Sequence, residues 1–481
     1  MIKRIFPFLV WFTGYSMAML RADGISGLTV ALVLIPQSMA YAQLAGLPPY
    51  YGLYASFLPP MIASLFGSSR QLATGPVAVV SLMTSASLEP LATAGSEGYI
   101  AYAILLALMV GLFQLSLGVL RLGLVVNFLS HPVVNGFTNA AAIIIATSQL
   151  SKMFGVSVDS AQHHYETIIR VVQAAFHYTH WPTFFLGVLA FAIMYGLKRI
   201  APRIPNVLVA VVITTTISWL TGYEHDATVD ISSIQNPHAI QLIETFNTAT
   251  NGLQPLSEKR TRAAKELEDA RLSGNPITIL DSEHAERLIQ TQSEMLKRDA
   301  HVQREAIRAL LFSAAIQPDE KLVFYPQNQL PEGTRTDDRV WRIKTGNKPI
   351  DSKKIRMIGG GDVVGEVPKG LPSFNVPKVN FKIMMHMLPY AAIISLLGFM
   401  EAISIAKAMA SKTGQRLDPN QELIGQGLAN LLGALGKSYP VSGSFSRSAV
   451  NLQAGAMTGL SSVFTSLAVV IALLFFTPLL Y

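Results

Sequence analysis

The side chains best suited to chemistry sit in two polar, glycine-bearing stretches set inside apolar sequence: Gln71-Leu-Ala-Thr-Gly-Pro-Val-Ala-Val79 and Tyr439-Pro-Val-Ser-Gly-Ser-Phe-Ser-Arg-Ser-Ala-Val450. Each reads as a helix that begins within a bilayer. Such a helix leaves its first N–H groups without partners, and its aligned peptide dipoles make that end partly positive. An anion answers both needs. In the later stretch Arg447 adds a planar fork of donors suited to a tetrahedral oxyanion. Ser444, Ser446 and the backbone N–H groups from Gly443 onward complete a cradle. An unpaired guanidinium is costly in lipid, so Arg447 should face protein, water or substrate. In the earlier stretch Thr74 and Gly75 lead into Pro76, a residue tolerated early in a helix. The N–H groups of Val77 and Ala78 then aim at the same point. Gln37 and Tyr41, one helical turn apart, can face the site together, Tyr41 either bonding the anion or packing as a buried aromatic.

Glu401 is a carboxylate set deep in an apolar run, between Ser395-Leu-Leu-Gly-Phe-Met400 and Ala402-Ile-Ser-Ile405. It either carries a proton or stands as a fixed counter-charge to Arg447 or Lys407, according to which surroundings prevail. Asn135 and Asn139 read as polar glue between helices. His163-His164 and Glu283-His284 lack further ligands at metal-binding spacing. The chain has no cysteine, no phosphate-binding loop and no nucleophile elbow, so the sequence carries no metal, cofactor or enzyme signature.

The elements that must position these residues are apolar. Half of the 481 residues are hydrophobic and only 14% are charged, against roughly 25% charged in soluble domains. Runs able to cross about 30 Å of hydrocarbon fall at Gly24 to Leu44, Tyr54 to Phe66, Ala101 to Leu120, Val133 to Leu150, Thr183 to Leu197, Asn206 to Leu220, Met384 to Ala408, Glu422 to Leu435 and Leu460 to Leu480. Half-helices at Gly75 to Leu88 and Gly443 to Ala454 bring the total to eleven elements. The net charge of +7 then reflects Lys and Arg held on the cytoplasmic side rather than affinity for nucleic acid. A cytoplasmic N-terminus puts Arg70, Arg121, Lys198, Arg199, Arg203, Lys407, Lys412 and Arg416 inside, as that rule requires. Residues 1 to 20 are read as an interfacial helix on the cytoplasmic side rather than a cleaved signal.

The same count places residues 223–377 outside, as an insert between a first transmembrane repeat (1–222) and an incomplete second repeat (378–481). Within the insert, Leu256 to Arg271 and Asp281 to Ala315 predict a helical hairpin, with Leu288, Met295 and Val302 at heptad spacing and Asp281 as N-cap. The two repeats match. Pro36 to Gln43 falls on Met400 to Lys407, and Thr74-Gly75 on Ser442-Gly443. Seven elements per half, an odd number, turns the copies upside down relative to one another, the inverted-repeat plan of secondary transporters.

At these residues the chain resembles the sulfate permease (SulP) family, related to the solute carrier family 26 anion exchangers. The resemblance rests on Gly27 to Ala42 (GLTVALVLIPQSMAYA), Gly46 to Tyr54 (GLPPYYGLY), Ala73 to Val79 (ATGPVAV), Val364 to Pro372 (VGEVPKGLP), Gly398 to Lys407 (GFMEAISIAK) and Pro440 to Asn451 (PVSGSFSRSAVN). It implies an all-α polytopic membrane protein of inverted seven-element repeats divided into core and gate domains; the mostly helical outer insert before Val364 departs from the family, which typically has a short connection there. It also implies a homodimer in the plasma or inner membrane, and an anion site between the third and tenth elements. An acidic residue at Glu401 would couple the anion to H⁺ or Na⁺. The expected function is H⁺-coupled sulfate uptake by alternating access. Na⁺-coupled bicarbonate transport or anion exchange is the alternative in the same fold, although bicarbonate carriers of the family often lack the tenth-element Arg that Arg447 supplies. Against the family pattern, the chain stops before the last transmembrane elements and the STAS domain. It would act as a non-transporting scaffold or sensor if those parts are truly missing.

Overall fold

The computed structural model describes residues 6–89, 91–92, 94–123, 131–159, 163–201, 206–317, 321–327, 329–331, 333–362, 367–377 and 381–477. Arg203, residues 364–366 of the fourth motif and the side chain of Asn135 lie outside that description. The chain divides into two compact units. One comprises Met1–Ile145, Phe191–Val212 and Val364–Tyr481, the other Ala146–Ala190 and Ile213–Val363.

The first half of the chain opens with a single 3₁₀ turn at Pro7–Val10 and helix α1, Met17–Leu44. The interfacial helix expected over residues 1 to 20 is therefore absent among the described residues, because Ser16 caps a helix that runs straight from Met17 into the first apolar run, its hydroxyl accepting from Met19 N. Next come α2 (Tyr50–Tyr54), α3 (Leu58–Phe66), strand β1 (Ala73–Gly75), α4 (Ala78–Leu88) and α5 (Glu97–Val119). Helices α6 (His131–Ser148), α7 (Leu150–Phe154), α8 (His164–His177), α9 (Trp181–Ile200) and α10 (Asn206–Thr221) follow.

Residues 223–377 contribute β2 (Asp226–Val229), α11 (Pro237–Ser273), α12 (Pro276–Ala309), β3 (Phe312–Ile316), β4 (Leu322–Pro326), β5 (Thr336–Ile343) and β6 (Ile355–Ile358). The second half closes with α13 (Phe381–Thr413), α14 (Pro419–Leu435), β7 (Ser442–Ser444), α15 (Phe445–Gln453) and α16 (Leu460–Phe475). Among the described helices, four are long and apolar enough to cross a membrane: Met17–Leu44, Glu97–Val119, Trp181–Ile200 and Ile383–Thr413.

In the first unit, close backbone approach replaces large side chains at the helix contacts. A Cβ on Gly111 of α5 would lie 2.5 Å from Leu431 N of α14, and one on Gly427 of α14 would lie 2.5 Å from Leu115 N of α5. Only glycine permits α5 and α14 to pack this tightly, the small-residue contact expected where neighbouring lipid is as apolar as the protein. Buried carboxylates then tie the helix ends. Asp23 accepts from Met457 N (2.7 Å), Thr458 N (3.0 Å), Thr458 Oγ1 (2.6 Å) and Tyr15 OH (2.9 Å). Glu422 accepts from Ser68 N (2.9 Å), Ser69 N (3.0 Å) and Ser68 Oγ (3.1 Å). Both are satisfied by several donors, as a buried charge requires.

In the second unit, α11 and α12 form the expected hairpin, but its details depart from expectation. The second helix starts at Pro276 with Asn275 as N-cap. Left-handed Gly274 ends α11, and the Asn-Pro pair that follows supplies cap and first turn. Asp281 therefore lies inside α12. Helix also stops at Ala309, and residues 312–316 form strand β3 instead. Leu288, Met295 and Val302 are exposed at 53%, 61% and 53%, so the heptad column faces away from α11.

The hairpin packs on a five-stranded antiparallel sheet of order β2-β6-β5-β3-β4. Phe246 of α11, Ile307 of α12, Phe312, Phe324, Trp341 and Met357 share its core. Asp159 anchors this unit. It accepts from His301 Nδ1 (2.6 Å), Arg304 Nε (2.7 Å), Arg304 Nη2 and Arg308 Nη1 (2.7 Å). Burial pushes the Asp159 carboxyl up, but Arg308, Arg304 and His301 outweigh it and hold the group at about 2.

Candidate anion site

The two broken spans meet. β1 and β7 pair antiparallel, Ala73 opposite Ser444, Thr74 opposite Gly443 and Gly75 opposite Ser442. From this ladder α4 and α15 set out, so their N-termini start from neighbouring rungs. Val77 precedes α4 in extended conformation, and no side chain caps its first N–H groups. Ser444 caps α15, its Oγ accepting from Arg447 N at 3.4 Å.

The ladder is held from both sides. Ser448 Oγ donates to Ser444 O (2.6 Å) and accepts from Ala73 N (2.9 Å), while Ser442 Oγ donates to Gly398 O (2.6 Å). Thr74 Oγ1 accepts from Gln426 Nε2 at 2.8 Å. Asn430, one turn further along α14, donates to Val441 O (3.1 Å) and accepts from Val441 N (2.8 Å), fixing the chain that enters β7.

Arg447 is fully buried. Its Nη1 donates to Gln37 Oε1 at 3.3 Å, while Nε and Nη2 have no hydrogen-bond partner. Glu401 forms no ion pair with it within 4.0 Å, yet the two charges lie within electrostatic reach, with Tyr41 and Tyr439 near the guanidinium. Glu401 Oε2 is likewise unpartnered. Gly75 explains how the guanidinium fits: at φ +149° a Cβ would stand 3.2 Å from Arg447 Nη2, so a side chain here would be strained and would crowd the group. A buried cation with unpaired donors, beside an uncapped helix start, is a place where an anion gains more than the protein alone can offer.

The structure thus brings Gln37, Thr74, Gly75, Gly443, Ser444 and Arg447 to one ladder and one guanidinium. Val77 is buried and Ala78 half-buried at the head of α4. Tyr41 is half-buried and in reach of both charges. Ser446 is exposed, its hydroxyl 3.3 Å from that of Ser444. Asn139 is exposed, and so is Lys407.

Several supporting residues went unread in the sequence. Tyr439 is fully buried, its hydroxyl 3.2 Å from Ser81 Oγ. Gln426 and Asn430, with Gln114 bonded to Asn430 (3.1 Å), form a buried amide chain behind the ladder. Their signal was available: two amides four residues apart on one face of an apolar helix.

These features define a polytopic, mainly helical membrane protein of inverted repeats whose broken helices pair at a buried cation. The sequence matches the Sulfate permease family over residues 20–279 and 346–481, and the chain belongs to that family. It is 33% identical over 479 residues to the probable sulfate transporter 4.2 of Arabidopsis thaliana, covering 99% of this chain and 52% of the relative. It is 29% identical to the sodium-independent sulfate anion transporter of Bos taurus, covering all of this chain and 62% of the relative. The chain spans about half the length of the curated relatives it matches most strongly. Among solved structures, the murine anion transporter Slc26a9 in its inward-facing state superposes with a TM-score of 0.64 at 19% identity, over 100% of this chain and 60% of that one. The transmembrane domain of a cyanobacterial bicarbonate transporter, BicA, superposes with a TM-score of 0.61 at 18% identity, over 97% and 85%.

Proposed function

We propose that this chain is a secondary active anion transporter that takes up sulfate together with protons by alternating access. The observation that carries the reading is Arg447: a fully buried guanidinium with two unpaired nitrogens, set against the paired starts of two broken helices. A divalent oxyanion supplies the acceptors that Nε and Nη2 lack and meets the uncapped N–H groups at the head of α4. Gln37, Tyr41, Thr74, Gly75, Val77, Ala78, Gly443, Ser444, Ser446 and Arg447 form the substrate shell, and Glu401 carries the coupling proton.

Protons are favoured over Na⁺ because the bovine relative is named as sodium-independent. Residues 1–222 and 378–481 act as the inverted repeats and 223–377 as an insert on the outer side. The N-terminus is cytoplasmic, and the protein works as a homodimer in the plasma or inner membrane. The test is sulfate uptake by proteoliposomes with and without an inward proton gradient. Gradient-driven accumulation supports the reading. Uptake indifferent to the gradient removes the coupling, and Na⁺-driven bicarbonate uptake in place of sulfate replaces the substrate.

A further inference from the structure

A second cleft, of about 480 Å³, lies in the first unit apart from the Arg447 site. Its walls include Trp11, Ser68, Arg70, Gln71, Thr413 and Arg416. Arg70 and Arg416 are exposed, and among the described residues neither has an acidic partner within 4.0 Å. Two carboxylates of this region are engaged elsewhere, Glu422 by Ser68 and Ser69 and Asp418 by the first N–H groups of α14. Two free guanidiniums flanking a cleft are an oxyanion's natural partners.

The same cleft also offers acceptors. Gln71 is 4% exposed and its Oε1 has no partner, while its Nε2 is spent on Ala456 O at 3.2 Å. Helix α13 ends here at Thr413, and the last carbonyls of a helix are unpaired and partly negative. A bare oxyanion satisfies the arginines and leaves these acceptors orphaned. It is also too small: a cleft of about 480 Å³ is of the size that takes small organic ligands.

The surroundings point to lipid. The 3₁₀ turn that roofs the cleft exposes Phe6, Leu9, Val10 and Phe12 at 40%, 37%, 45% and 54%. Trp11 packs so closely on Gly459 that a Cβ there would fall 2.4 Å from its ring. An indole at the ends of membrane helices, beside exposed apolar side chains, belongs to a membrane–water boundary.

We propose that this cleft binds the headgroup of one phospholipid of the phosphoethanolamine type. Arg70 and Arg416 hold the phosphodiester, the Gln71 carbonyl and the end of α13 accept from the ammonium, and the apolar roof lies along the acyl chains. Fixed there, the lipid fastens the N-terminal turn onto the loops that follow α3 and α13.

The test uses the full chain, purified in mild detergent, washed free of loose lipid and examined by native mass spectrometry with defined lipids. Phosphatidylethanolamine should stay bound at one per chain. Phosphatidylcholine, which keeps the phosphate and the charge but lacks N–H donors, should bind about ten-fold more weakly, as should phosphatidylethanolamine on R70Q/R416Q. Equal retention of the two lipids, or undiminished retention by the double variant, overturns the proposal. Displacement of the lipid by sulfate or inorganic phosphate alone would make this a free-anion site instead and also overturn it. If the double variant does not fold, the comparison of the two lipids on the unmodified protein decides.

Discussion

Replacing Arg447 by Met should make the empty protein more stable while abolishing its response to sulfate. The sign follows from the hydrogen-bond census. Arg447 is fully buried, and only Nη1 has a side-chain partner, Gln37 at 3.3 Å. Each unsatisfied buried donor costs about 1–3 kcal/mol, so Nε and Nη2 together weigh about 2–6 kcal/mol against the empty fold. Met fills much of the same volume without polar atoms, so that penalty disappears with the guanidinium. Against this stand the lost bond to Gln37, about 1 kcal/mol, and a small void. The net expectation is a gain of about 1–3 kcal/mol in the absence of anion. With sulfate the order reverses, because two charge-assisted bonds of about 1.5–3 kcal/mol each are lost, weakening binding by about two to four powers of ten. Thermal unfolding of both proteins in detergent, with and without sulfate, reads both effects. A marked fall in the melting temperature of anion-free R447M would refute the reasoning, for it would make Arg447 a structural tie.

Four further outcomes follow from the geometry. Gly75→Ala should cut sulfate transport by about ten-fold or more in the uptake assay, since the positive φ costs about 1–3 kcal/mol and the new methyl presses on Arg447 Nη2. Glu401→Gln should preserve sulfate binding by calorimetry yet remove the dependence of uptake on the proton gradient. Asp23→Ala should lower stability by at least about 1–3 kcal/mol, read as a drop in melting temperature, because four donors lose their acceptor. For Asp159 the folded carboxyl titrates below its unfolded value of 3.8, at about 2. Its stabilisation, about 2 kcal/mol, is therefore complete above about pH 4 and lost as pH falls toward 2. Hydrogen exchange in β3 should accelerate over that window, and Asp159→Asn should flatten the profile.

The candidate anion site was legible as a candidate because its chemistry is local. Gly75 and Gly443 interrupt apolar sequence at matched offsets, and a guanidinium four residues past the second glycine has few roles inside hydrocarbon. The ladder that joins them was not legible as a pairing: three residues a side give no alternation to read, and the partners are separated by most of the chain. Gln426, Asn430 and Tyr439 escaped because their role is to hold backbone, and nothing in an amide's neighbours along the chain says which distant carbonyl it will meet.

Residues 223–377 show the opposite failure. Helical composition from Leu256 onward announced the hairpin, but strands of four to eight residues hid among charged and turn-forming neighbours. The propensity signal carried past Ala309 into what became β3, because Phe312-Ser-Ala-Ala-Ile316 suits either state until β4 and β5 are there to pair with it. The exposed column Leu288, Met295 and Val302 warns that heptad spacing marks a stripe without saying which way it turns.

The short ladder between β1 and β7 also bears on inheritance. A single-residue insertion or deletion just before Thr74 would slip the register and turn every side chain there to the opposite face, spoiling the partner segment some 370 positions downstream. Chain length is therefore fixed at both segments where they cross. The longer connections away from that join carry no such constraint on their length.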